Sequence, residues 1–123
     1  MGLSTALLAR DGRTILVVLG PLDCAAAEQL RETIDRLVHT ARGRIEVDLS
    51  RVDYLDPAAI EILVAGRYQA DQLAKAYQVT GARDAVHYVL NVAGVLDYLT
   101  REAATAPHDR PRAEPPEPDR STR

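Results

Sequence analysis

The run Arg44 to Tyr68 contains the clearest change of period in the chain. Ile45, Val47 and Leu49 alternate with Glu46 and Asp48, the two-residue period of a half-buried strand. From Ala58 onward the apolar positions recur at helical spacing, and Asp56-Pro57 marks the switch. An Asp before a helix can accept from its unpaired first N–H groups, and a Pro suits the first helical position, where its missing N–H costs nothing. Upstream, residues 3–9 read as a weak strand, Asp11-Gly12 as a two-residue hairpin turn, and residues 14–19 as a strong β-branched strand. Gly20-Pro21-Leu22-Asp23 ends that strand. A helix then runs from Cys24 to His39 on the stripe Ala26, Leu30, Ile34, Leu37 and Val38. The second helix, about 57–74, has a stripe of Ala59, Leu63, Gly66, Ala70 and Leu73. Ile60 and Val64 lie beside that stripe, so this helix has more apolar residues than one face needs. They are predicted to form an apolar contact patch near the helix start, with burial in the core as the alternative. Tyr77 to Thr80 reads as a short strand, about 83–93 as a third helix closed by Gly94, Val95 to Leu99 as a last strand, and 101–105 as one further helical turn.

The resulting order is β-β-α-β-α-β-α-β, an α/β fold. Strand–helix–strand units give parallel pairs with right-handed crossovers, which puts successive helices on one side of the sheet. The first two helices then start at the same sheet edge. Asp23 and Asp56-Pro57 should meet there, joined by Gly81 and Arg83.

Composition narrows the function. A length of 123 residues and a hydrophobic fraction of 46% fit one globular domain, expected over residues 1–106. From Pro107 the chain holds five of its seven prolines among mixed charges, which predicts a disordered tail over 107–123. A net charge of −3 disfavours nucleic acid. There is no apolar run of membrane-spanning length and no basic-then-apolar leader, so no membrane insertion is expected. The single cysteine, Cys24, cannot form an internal disulfide and fits a reducing cytoplasm. Cys24 has no positioned base in this topology. The three histidines, His39, His87 and His108, are scattered, and no Gly-rich phosphate loop is present. Neither a catalytic group nor a cofactor is expected.

Three segments together resemble one family. They are Gly20-Pro21-Leu22-Asp23, Val47-Asp48-Leu49-Ser50 running through Val52 and Tyr54-Leu55-Asp56, and Ala85-Val86 through Val89-Leu90 to Ala93-Gly94-Val95. In this order and at these intervals they resemble the STAS domain of bacterial anti-sigma factor antagonists, over roughly residues 3–100. The resemblance implies a mixed sheet of four to five strands with three to four helices packed mainly on one face. It also implies a non-enzymatic protein-binding switch. The expected partner is an anti-sigma factor with a histidine-kinase-like ATPase fold, whose capture frees a sigma factor. A homodimer is a further expectation.

In that family the residue after the loop Asp is the phosphorylated Ser or Thr. Here, by motif alignment, it is Pro57, followed by Ala58 and Ala59. Pro has no hydroxyl, so the usual phosphorylation is lost while the helix start is kept. The residues expected to touch the partner are Pro21, Asp23, Asp53, Asp56, Pro57, Ala58, Ile60, Val64 and Arg67. Asp23 and Asp56 are read first as helix caps. Two other roles remain open on the same fold: a STAS subunit of an ABC transporter or sensing complex, and a nucleotide or small-molecule sensor.

Overall fold

The computed structural model describes residues 3–102. The elements in chain order are β1 (Ser4–Arg10), β2 (Arg13–Leu19), α1 (Cys24–Thr40), β3 (Arg44–Arg51), α2 (Pro57–Gln72), β4 (Tyr77–Thr80), α3 (Asp84–Val92) and α4 (Leu96–Thr100). The four strands lie in the order β1-β2-β3-β4. β1 is antiparallel to β2 through the Asp11-Gly12 turn, and β2, β3 and β4 are parallel. Both turn residues have positive φ, 52° and 76°, the conformation that a two-residue hairpin needs and that Asp and Gly tolerate.

One face of the sheet is the core. Leu16 and Val18 of β2, Ile45, Val47 and Leu49 of β3, and Tyr77 and Val79 of β4 pack there against Leu30, Ile34 and Val38 of α1 and Leu63 and Ala70 of α2. Gly66 in the middle of α2 permits the close approach, since a Cβ there would lie 2.7 Å from Ile34 Cγ2 and 2.8 Å from the Tyr77 hydroxyl. That hydroxyl, fully buried, donates to the Leu63 carbonyl at 3.0 Å. The end of α1 is closed from outside the helix. Lys75 Nζ donates to the carbonyls of Val38 at 2.6 Å and Ala41 at 3.2 Å, a cation where helix carbonyls lack partners. The opposite face is polar toward β4: Glu46 accepts from Arg13 and Thr80, both at 2.8 Å.

The expected architecture holds up to its last element. Val95–Leu99 is not a strand: α4 occupies Leu96–Thr100. Gly94, with φ 80°, turns the chain, and Leu99 N–H then donates to the Val95 carbonyl at 3.0 Å. α4 lies beside β4, where Gln78 Nε2 donates to the Thr100 carbonyl at 2.8 Å, so a fifth strand does not form there. Arg101 and Glu102 are not helical. The tail expected over 107–123 lies outside the described residues.

Candidate functional site

Two strand-to-helix connections meet at the carboxyl ends of β2 and β3. Each has the same local sequence, a Leu followed by an Asp, and in each the Asp caps a helix. Asp23 Oδ1 accepts from Ala26 N–H at 2.9 Å, and Asp56 Oδ2 accepts from Ala58 N–H at 2.8 Å. The preceding leucines join the two connections. Leu22 and Leu55 form a parallel bridge, with Leu22 N–H on the Tyr54 carbonyl and Asp56 N–H on the Leu22 carbonyl, both at 2.9 Å. Both leucines are buried, which anchors the bridge in the core. The starts of α1 and α2 are therefore held side by side. The predicted meeting of Asp23 with Asp56-Pro57 is present.

The side chains on this rim vary in exposure. Pro21, Asp23, Asp53 and Pro57 are exposed, and Asp56 and Ala58 are half-buried. Pro57 is the first residue of α2, so its ring is presented at the helix tip. Arg83 reaches the rim from the β4–α3 connection, donating to the Ser50 carbonyl at 3.2 Å. Gly81 has positive φ and lies against the end of β3, where a Cβ would be 2.6 Å from Asp48 Oδ1. Ser50, Arg51, Asp53, Arg83 and Asp84, with Val52, Ala85 and Val86, surround a shallow hollow of mixed character, about 240 Å³, beside the tip.

Two predicted contact residues, Ile60 and Arg67, are buried. Ile60 is buried in the core cluster, and Val64 is half-buried against it. Together they floor an apolar groove of about 590 Å³, walled by Tyr68 of α2 and by Ala93, Val95 and Tyr98 around α4. Ile60 is three residues past Pro57, so the groove opens within one turn of the tip. Arg67 does not lie on a contact surface at all. It is only 4% exposed, donates to the carbonyls of Tyr98 at 2.6 Å and Arg101 at 3.2 Å, and lies over the Tyr98 ring at 5.0 Å. Its Nη1 alone serves both carbonyls at the end of α4 and fastens that helix to α2. Among the described residues, no group of three or more His, Cys, Asp or Glu side chains could hold a metal, and no helix is long and apolar enough to cross a membrane.

Sequence reasoning missed the Leu22–Leu55 bridge, although the repeated Leu-Asp before each helix was its visible sign. It also missed Tyr68, Val95 and Tyr98 as groove walls, because α4 was expected to be a strand.

Similarity to known proteins follows the same lines. The family model described as "Mlab, STAS domain" matches residues 6–101. A curated Bordetella bronchiseptica protein named as an anti-sigma factor antagonist, BtrV, is 28% identical over 100 residues, covering 78% of this chain and 86% of its own. An anti-sigma factor antagonist from Mycobacterium paratuberculosis superposes with a TM-score of 0.71 at 23% identity, covering 86% of this chain and 89% of that one. The antagonist SpoIIAA in its unphosphorylated form superposes with a TM-score of 0.59 at 17% identity, covering 72% and 82%. At these identities the two solved structures bear on the fold alone.

Proposed function

We infer what this chain does from one premise: it belongs to the STAS domain family. It resembles anti-sigma factor antagonists in sequence and fold, and the function proposed is that of a non-catalytic protein-binding regulator. The partner is an anti-sigma factor with a histidine-kinase-like ATPase fold, and the docking surface is the rim of Pro21, Asp23, Asp53, Asp56, Pro57 and Ala58, continued by Val64 and the groove above Ile60. Occupying the anti-sigma factor releases its sigma factor by mass action.

The observation that supports this reading is the Leu22–Leu55 bridge, which ties two capped helix starts into one rim with Pro57 exposed at its tip. In family members with Ser at this point, a phosphate would add about −1.5 to −2 charges to the rim. Pro57 offers no hydroxyl, so this chain binds without that switch.

Two measurements test the proposal. Asp53→Lys and Asp56→Lys baits, checked for folding by circular dichroism, should each lose the principal protein captured by the wild type; capture by both at wild-type level overturns the docking surface. Incubation with the captured kinase and ATP should leave residues 50–60 free of phosphate, while Pro57→Ser should accept it. Stoichiometric phosphate on residues 50–60 of the wild type overturns the loss of the switch.

A second reading, a STAS subunit of an ABC transporter, is favoured by Pro57 as well, since a permanently assembled subunit needs no phosphate switch. Genes for a sigma factor and an ATPase beside this one support the first reading, and a transporter operon supports the second. A thermal shift with nucleotides would favour a sensor.

A further inference from the structure

β1 is an edge strand, and all seven of its residues are exposed. It contains no Pro and no Lys, no break in its register with β2, and one charge, Arg10, at its end. Among the described residues, the usual protections of a sheet edge are therefore missing. Its leucines are exposed on opposite faces, Leu7 at 60% on the helix side and Leu8 at 44% on the other.

The hairpin fixes which backbone groups are free. A two-residue turn closes on a hydrogen-bonded pair, here Arg10 with Arg13. Alternation along the ladder then commits Leu8, Ala6 and Ser4 to β2. The N–H and C=O groups of Thr5, Leu7 and Ala9 point away from the sheet. β2 obeys the same parity on its far side, where Gly20 N–H donates to the Arg51 carbonyl of β3 at 3.1 Å. Among the described residues, the free row is thus three residues centred on Leu7.

We propose that β1 pairs antiparallel with β1 of a second copy, on a two-fold axis at Leu7, joining two sheets into one of eight strands. The row is its own complement about that point. Leu7 faces Leu7 of the second copy, Thr5 faces Ala9, and these pairs supply roughly six interchain hydrogen bonds. Ala6 then lies against Leu8 of the copy on the other face, so both exposed leucines are covered. Arg10 falls opposite Ser4, so like charges are not directly opposed. The strip is narrower than a standard interface of about 1,600 Å², which makes the dimer weak, with a dissociation constant on the order of 10–100 μM. The rim is built at the carboxyl ends of β2 and β3 and remains open, so each dimer carries two rims.

Sedimentation of the full chain over a concentration series should show a monomer–dimer equilibrium. Hydrogen exchange should slow with concentration at the amides of Thr5, Leu7 and Ala9 but not at Ala6 and Leu8, which bond β2 at every concentration. Leu7→Lys sets two cations face to face, and Thr5→Pro deletes one outward N–H while sparing the β2 ladder. Each should raise the dissociation constant about tenfold or more, with the thermal midpoint of the monomer retained. If Leu7→Lys misfolds, Thr5→Pro still decides. A single monomeric species up to about 1 mM overturns the proposal. So does a dimer unaffected by both changes, or protection of the three outward amides in the monomer, which would mean that another segment covers the edge.

Discussion

Replacing Gly66 with alanine should destabilise the fold, although helix propensity alone favours alanine by about 1 kcal/mol. The new Cβ would stand 2.7 Å from Ile34 Cγ2, 2.8 Å from the Tyr77 hydroxyl and 3.1 Å from Tyr77 Cζ. Carbon contacts settle near 3.5–4.0 Å, so the neighbours must retreat by roughly 0.7–1 Å. The Tyr77 ring is fully buried, and its hydroxyl is held by the Leu63 carbonyl at 3.0 Å. Overpacking costs about 1–3 kcal/mol, and an orphaned buried hydroxyl costs about 1–3 more. Set against the propensity gain, the net loss is about 1–5 kcal/mol, a large share of the roughly 5–15 kcal/mol expected for a domain of this size. Tyr77→Phe removes the hydroxyl and with it one of the close contacts, while the Ile34 contact remains. The double variant should therefore be less destabilised than the sum of the singles by about 1–2 kcal/mol. Urea denaturation followed by circular dichroism measures all four corners of this cycle. A Gly66→Ala variant as stable as the wild type, or strict additivity with Tyr77→Phe, would refute the packing account.

Burial raises the Tyr77 phenol pKa above its ordinary value of 10.0. The contribution of this group to stability is complete below about pH 10 and is lost as the pH rises above it, because the unfolded chain releases a proton that the native state keeps. The urea midpoint should thus fall more steeply above pH 10 for the wild type than for Tyr77→Phe. Arg67→Lys keeps the charge but loses the Nε–H bond to Asp71 and the planar guanidinium over the Tyr98 ring; a loss of about 1–2 kcal/mol and faster tryptic cleavage at Arg101 are expected. Asp56→Asn should retain the α2 cap, whereas Asp56→Ala should cost about 1 kcal/mol in a thermal melt. Asp56→Asn is therefore the variant that separates rim charge from helix stability in binding assays.

Most of the layout was legible because each element has one dominant period. β4 was read at its full extent, and α1 and α2 were found within two residues of their ends, where Asp caps and a Pro mark the starts. Val95–Leu99 was misread because five apolar-rich residues suit either period, and α4 depends on the groups that meet it beside β4. Arg67 looked like a surface residue because its partners lie more than thirty positions downstream, and a carbonyl clamp has no signature in side-chain type. Ile60 and Val64 were ambiguous for a related reason. The rotation of α2 is set by Gly66 against Tyr77, a contact between an element and a strand that follows it.

Lys75 is the only lysine in the chain, and its ammonium group closes the end of α1. Amine-directed reagents thus have a single internal target, and that target is a structural strut. A bait coupled to a resin through it, or a cross-linker attached there, would unfasten the last turn of α1 and report on a damaged molecule. Conversely, slow modification of this amine in the native state, and fast modification in urea, would give a one-site chemical readout of unfolding without any introduced label.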